Sequence, residues 1–316
     1  MSTVVSVVRR TLATRGLIPR SARVLVACSG GADSAALLAV LTQLAPELDL
    51  VLEAASVDHG LRPEAARDVA LARAQADQLG VPFHPLVVQV EPGASLQAQA
   101  RRARYGALCG LAQRLGAQRI AVGHTRDDQL ETVLQRLLRG AGVRGLSAID
   151  PLRADGVIRP LIDADRSAVH ALAHATFTQL AQDPSNVDAR FTRVRVRSEV
   201  VPALRREDSA LAEHLADLAD DAREHAQLVE ALSAELLARA RHDAESLAIS
   251  ALLSAPAVLR RAALRLWLRE HDCPLGRAHL RDLDTLCTHR RGEVWLSARL
   301  AVRAENRVIL RVCVRR

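Results

Sequence analysis

Short apolar runs alternate with helical patterns through the first half of this chain. Candidate strands lie at 23–28, 51–57, 84–90 and 119–123, and candidate helices at 34–45, 63–79, 94–115 and 127–139. A buried strand reads as a continuous apolar run, whereas an amphipathic helix repeats every ~3.6 residues, so the alternation predicts an α/β fold with a doubly wound, mostly parallel sheet. Pro63 suits the first turn of its helix and Gly80 the end of it. Ligands of such sheets bind beyond the carboxyl ends of the strands, so the polar residues just after each strand carry the functional expectation. Ahead of the first strand, residues 1–22 contain Arg9, Arg10, Arg15 and Arg20 and no acid, a composition shared with transit peptides. Val4, Val5, Val8 and Leu12 nevertheless suit one face of a helix, which favours a first helix of the domain.

Past residue 205 the strand pattern gives way. Residues 208–243 and 255–271 read as amphipathic helices, and 292–314 alternates like a hairpin with Glu305-Asn306 at its turn. Two domains are expected: residues 1–205, an α/β catalytic domain, and residues 206–316, a smaller, mainly helical domain with a terminal hairpin. The formal net charge is +7, and residues 1–205 hold 25 Arg against 19 acids while residues 206–316 hold 18 against 17. A basic chain suits a polyanionic partner, and the charge concentrates in the first domain. Aromatic residues are 2% of the chain, so if the polyanion is a nucleic acid its contacts must rest on phosphates and shape more than on stacked bases. No apolar run approaches the ~20 residues of a membrane span, and a cytoplasmic location is expected.

The first strand runs into a glycine turn: "VLVACSGGADSAALLAVL", residues 24–41. Adjacent glycines let the backbone turn sharply and approach a ligand closely, and the N–H groups of residues 29–34 can form an anion nest at the positive end of the next helix. Ser29 and Ser34 add hydroxyls. Asp33 is negative in a place that suits an anion, which fits either a helix cap or a ligand for Mg²⁺ carried on phosphates. All 43 basic residues are Arg, so a lysine-containing P-loop, a lysyl-adenylate and a Schiff base are excluded. Cys28, Cys109, Cys273, Cys287 and Cys313 form no C-x-x-C pair, which argues against a zinc site or a disulfide framework.

The full string Ser-Gly-Gly-x-Asp-Ser resembles the signature of the PP-loop ATP pyrophosphatases, which cleave ATP between the α- and β-phosphates. Further segments narrow the resemblance: "VDHGLRPEA" (57–65), "QARRARYGAL" (99–108), "GHTRDDQLETVLQRLLRGAGVRGLSAI" (123–149), "RPL" (159–161) and "DPSNVDARFTRVRVRSEVVPAL" (183–204). Together they resemble the tRNA(Ile)-lysidine synthetase family over roughly residues 20–205. The resemblance implies that ATP adenylates the C2 oxygen of the wobble cytidine in a CAU anticodon and that free lysine then displaces AMP through its ε-amine. The alternatives are another PP-loop tRNA-modifying enzyme, a thiolase, or a tRNA-binding protein without catalysis.

The resemblance also implies site residues. ATP falls to Ser29, Gly30, Gly31, Ala32, Asp33, Ser34, Asp58 and His59, with Asp33 toward Mg²⁺. Catalysis falls to Asp33, His124, Asp128 and Glu131, and lysine to Asp128, Glu131 and Arg193. Contacts to tRNA or phosphate fall to Arg62, Arg101, Arg104, Arg195 and Arg197. The residues support part of this directly. If helix 127–139 extends back one turn, His124, Asp128 and Glu131 share a stripe, while Leu130, Val133, Leu134 and Leu137 line the opposite side, toward the sheet. Two carboxylates three residues apart repel, so a cation is expected between them. Arg193, Arg195 and Arg197 alternate as on a strand, although the related segment opens a helix, and Val194 stands where the family more usually has Asn. The expected partners are ATP, Mg²⁺, free lysine and the CAU-anticodon tRNA(Ile); a homodimer is compatible with the sequence.

Overall fold

The structure, a computed structural model, describes residues 3–58, 60, 65–89, 96–181, 192–271, 276–298, 300–305 and 309–314. It divides into two compact units, Met1–Asp220 and Asp221–Arg316. The first unit begins with α1 (Val4–Thr14), capped by Thr3 Oγ1, which accepts from Ser6 N at 3.3 Å. Val4, Val8 and Leu12 are buried, so the first helix belongs to the domain core.

From there strands and helices alternate: β1 (Arg23–Ala27), α2 (Ala32–Leu48), β2 (Val51–Asp58), α3 (Ala65–Gln78), β3 (Phe83–Val87), α4 (Leu96–Leu115), β4 (Arg119–Ala121) and α5 (Arg126–Leu138). After these come α6 (Val143–Leu146), β5 (Val157–Ile158) and α7 (Arg166–Thr176). The five strands are parallel in the order β3-β2-β1-β4-β5. β1 is apolar on both faces because both are covered. Val24 and Val26 pack with α1, α2 and α7, and Leu25 packs with Tyr105 and Leu108 of α4. The chain then forms α8 (Thr192–Arg195), a π-helical turn (Val196–Val200), α9 (Val201–Glu207) and α10 (Leu211–Ala240).

One face was misread from the sequence. Leu130 and Leu134 of α5 do not point at the sheet; they pack against Val196, Val201 and Ala212 of the following helices, and Val133 packs against Ala148 and Ala219. Leu137 is exposed. This packing carries α9 and the first turns of α10 into the first unit, which ends at Asp220, inside α10.

The second unit adds β6 (Arg241–Asp243), β7 (Ser246–Ala248), α11 (Ile249–Leu253), α12 (Ala257–Arg269), α13 (Arg277–His289), β8 (Glu293–Trp295), β9 (Leu300–Glu305) and β10 (Ile309–Val314). β9 and β10 form the expected hairpin, pairing Glu305 with Ile309, and extend into an antiparallel sheet, β6-β7-β10-β9-β8. The helix expected to reach 243 stops at Ala240. Beyond it Asp243 Oδ1 accepts from Glu245 N at 2.8 Å, an Asx-type turn that folds β6 back on β7.

Candidate active site

The sheet order reverses between β1 and β4, and the two loops leaving their carboxyl ends meet there. After β1, Gly30 takes φ +78°, and a Cβ on it would lie 2.8 Å from the carbonyl oxygen of Asp68. The loop is held by Gly30 O, which accepts from Ala181 N and from Gln75 Nε2, both at 2.9 Å. Inside it, Ser34 Oγ accepts from Ser29 N and donates to Gly31 O, each at 3.0 Å. Gly31 rather than Asp33 is the N-cap of α2, so Asp33 does not cap the helix. After β4, a Cβ on Gly123 would sit 3.0 Å from the backbone of Asp33, so this glycine lets the two loops touch. Close backbone approach and the start of a 17-residue helix fit the phosphates of a nucleotide.

Asp128 and Glu131 lie on the first turns of α5, directly after β4. Thr125 is the N-cap, and Asp128 Oδ2 accepts from Thr125 N at 2.7 Å and from Thr125 Oγ1 at 3.0 Å. His124 therefore precedes the helix rather than joining its stripe. The other oxygens meet three guanidiniums. Arg166 donates to Asp128 Oδ1 and to Glu131 Oε1, both at 2.7 Å. Arg193 donates to Asp128 and, at 3.0 Å, to Glu131 Oε2. Arg197 binds Glu131 at 2.7 and 3.0 Å. Burial would raise both carboxyls, but these cations outweigh it and hold Asp128 and Glu131 below the usual carboxylate range. Where the sequence leads us to expect Mg²⁺ or an ammonium group, the chain's own arginines meet the carboxylates. The three arginines differ in access: the Arg166 side chain is 16% exposed, Arg193 44% and Arg197 34%, so the outer two can yield to another cation.

Arg166 was not expected. It sits on α7, its own backbone N–H held by Asp127 Oδ2 at 2.9 Å, and no sequence spacing ties it to α5. His170 of the same helix was also unexpected; its Nε2 lies 3.0 Å from Asp33 Oδ1. Burial first, and then Asp128, raise the Asp33 carboxyl. Arg193 and Arg197, four apart on a helical stretch, share the face toward Glu131. Arg195 turns away, exposed, with Nη2 3.5 Å from Thr192 Oγ1. Asp58 ends β2 and accepts from Gly60 N at 2.8 Å. Arg101 and Arg104 gather on Tyr105, apart from the carboxylates. His59, Arg62 and the segment Asp183 to Asn186 lie outside the described residues.

His124 Nδ1 accepts from Arg159 Nε at 3.3 Å, which leaves its proton on Nε2. Burial, and then the nearby arginines, push its pKa down to about 3, so it is neutral at pH 7: a donor through Nε2–H, not an imidazolium acid. Between about pH 6.5 and 3 the native state then binds fewer protons here than the unfolded chain. Stability should fall as pH is lowered through that window, by up to about 1.4 kcal/mol per pH unit. Below about pH 4 Asp128 and Glu131 add losses of the same sign. Urea melts of His124→Gln between pH 6.5 and 4.5 should show a shallower pH slope than wild type; an identical slope would contradict the buried neutral imidazole.

A family described as a PP-loop domain matches residues 5–204, and one described as the TilS substrate binding domain matches residues 247–309. A tRNA(Ile)-lysidine synthase of Bordetella bronchiseptica is 39% identical over 318 residues, covering 93% of this chain and 90% of that protein. One of Symbiobacterium thermophilum is 42% identical over 243 residues, which span 73% of this chain and only 50% of the longer relative. Among solved structures, a U34-tRNA thiolase of Methanococcus maripaludis with its [4Fe-4S] cluster aligns with TM-score 0.59 at 18% identity, over 70% of this chain and 79% of that one, and shares the fold. Matched in both of its parts and along nearly its whole length, the chain belongs to the tRNA(Ile)-lysidine synthase family.

Proposed function

We propose that the protein joins free L-lysine to C2 of the wobble cytidine of the CAU-anticodon tRNA(Ile), using ATP. The observation that carries this is a pair of carboxylates, held ionised and occupied by cations, beside the glycine loop after β1 at the point where the sheet order reverses. In this reaction the C2 oxygen of the base is adenylated with loss of pyrophosphate. The lysine ε-amine then attacks C2, and that oxygen leaves with AMP. Ser29 to Ser34 would hold the phosphates. Asp33, half exposed at the start of α2, is placed to hold a Mg²⁺ riding on them. No cluster of three or more His, Cys, Asp or Glu occurs among the described residues, so the nucleotide would supply most of that ion's ligands. Asp128 and Glu131 would take an ammonium group of lysine in place of Arg193 or Arg197, and a displaced guanidinium suits the lysine carboxylate. Asp58 ends the strand beside the loop; it is assigned with His59 to the nucleotide, and Arg62 is assigned to the tRNA. The tRNA substrate places the reaction in the cytoplasm.

Thiolation is disfavoured by the cysteines. Cys28 precedes the loop, but burial pushes its thiol up to about 12, so it is not a thiolate at neutral pH. The test is to incubate the protein with ATP, Mg²⁺, labelled lysine and a CAU-anticodon tRNA(Ile) transcript. Label is expected at the wobble base, with AMP and pyrophosphate released one for one. Absence of label, or sulfur transfer from a sulfide donor, would overturn the proposal.

A further inference from the structure

A surface cavity of about 420 Å³ opens beside α4, walled by Arg101, Arg102, Tyr105, Cys109, Arg153 and Asp155. Its centre is a buried aromatic ring that carries three cations. The guanidinium carbons of Arg101, Arg104 and Arg153 lie 5.0, 5.5 and 4.9 Å from the centroid of Tyr105. Arg101 Nη2 also lies 3.4 Å from the Tyr105 hydroxyl. Arg153 pairs with Asp155 at 2.6 Å, whereas Arg101 and Arg104 form no ion pair among the described residues. Cation–π contacts of this kind orient a guanidinium but leave its charge in place. Nearby Arg159 is buried, bonded to His124 on one side and to the carbonyl of Asp150 on the other. Arg101 and Arg159 both fall below the usual guanidinium range, through burial first and then through the neighbouring guanidiniums. Such crowding of like charge costs stability in the free protein and is relieved when an anion enters.

We propose that this cavity seats a backbone phosphodiester of the tRNA, clamped by Arg101 and Arg153 on the ring of Tyr105, with Arg104 adding its charge from beside the same ring. It rests on the RNA-modifying function above and adds Arg153 and Tyr105 to the surface that meets the RNA. The nucleotide phosphates already have the loop after β1, so the anion here belongs to the second, larger substrate. Arginines already held in place lose less side-chain freedom on binding, and their planar forks match a phosphate's oxygens.

The test measures binding of the CAU-anticodon tRNA(Ile) transcript across a KCl series for the full chain and for Arg153→Ala. Arg153 lies in a turn and its side chain is 35% exposed, so the variant should fold, with a melting temperature within a few degrees of wild type. The Kd should rise about five- to tenfold at ~0.1 M KCl, and the slope of log K against log salt should shrink by about 1. Arg153→Lys should restore most of the slope as a point charge. With tRNA saturating, the KM values for ATP and lysine should not change. An unchanged slope, or a raised KM for ATP with tRNA binding intact, would overturn the proposal. Binding is read without turnover, so a failure to make lysidine would not disturb this result, nor would failure here disturb the assignment of the reaction.

Discussion

Glu131→Ala is expected to cost about 3 kcal/mol of stability and to abolish lysine transfer. The Glu131 side chain is 2% exposed and accepts from three guanidiniums, so its removal leaves Arg166, Arg193 and Arg197 with only Asp128 between them. Removing one partner of a buried ion pair costs roughly 3–5 kcal/mol. The low end applies because Arg193 and Arg197 are a third or more exposed and can turn into water. Arg166 cannot. Glu131→Gln keeps the shape and one acceptor, and should cost less in stability while losing as much lysine transfer. Urea midpoints and lysine-dependent AMP release measure the two effects separately. A loss below about 1 kcal/mol for the alanine variant would mean that the cluster is a solvated surface network.

The parallel sheet was legible because each of its longer strands is an apolar run with a turn signal behind it. β1, β2 and β4 begin where the sequence placed them, while β3 is shifted by one residue and is shorter than expected. β5 escaped because two residues carry no periodicity, β6 because Arg241 to Asp243 are exposed and polar, and β7 because its three residues are too few to show an alternation. The apolar stripe of α5 was visible, but its partner was not. A stripe shows that something covers it, and here α9 and α10 do so instead of the sheet.

The site divides in the same way. The loop after β1 and the carboxylates after β4 are local patterns, and both stand at the switch point as the strand–helix alternation implied. Thr125 and Asp128 also form a T-x-x-D capping pattern, a local signal that would have placed the start of α5 at Arg126 and His124 outside it. Arg166, His170 and Arg153 are long-range partners, brought in by α7 and by the turn before β5, and nothing in their own surroundings marks them. The arginines at 193 and 197 were found through family resemblance; their spacing of four became meaningful only once the segment proved helical.

Asp128→Asn separates the two halves of the proposed reaction. Asn can still accept from Thr125 N, so the cap of α5 survives, but its neutral amide no longer holds a cation. Pyrophosphate release from ATP with tRNA and no lysine reports adenylation; AMP release on adding lysine reports the second step. The KM for lysine should rise by about 10- to 100-fold, while lysine-independent pyrophosphate release changes by less than about threefold. Equal loss of both steps would contradict the assignment of the carboxylate pair to lysine and place Asp128 in the adenylation site instead.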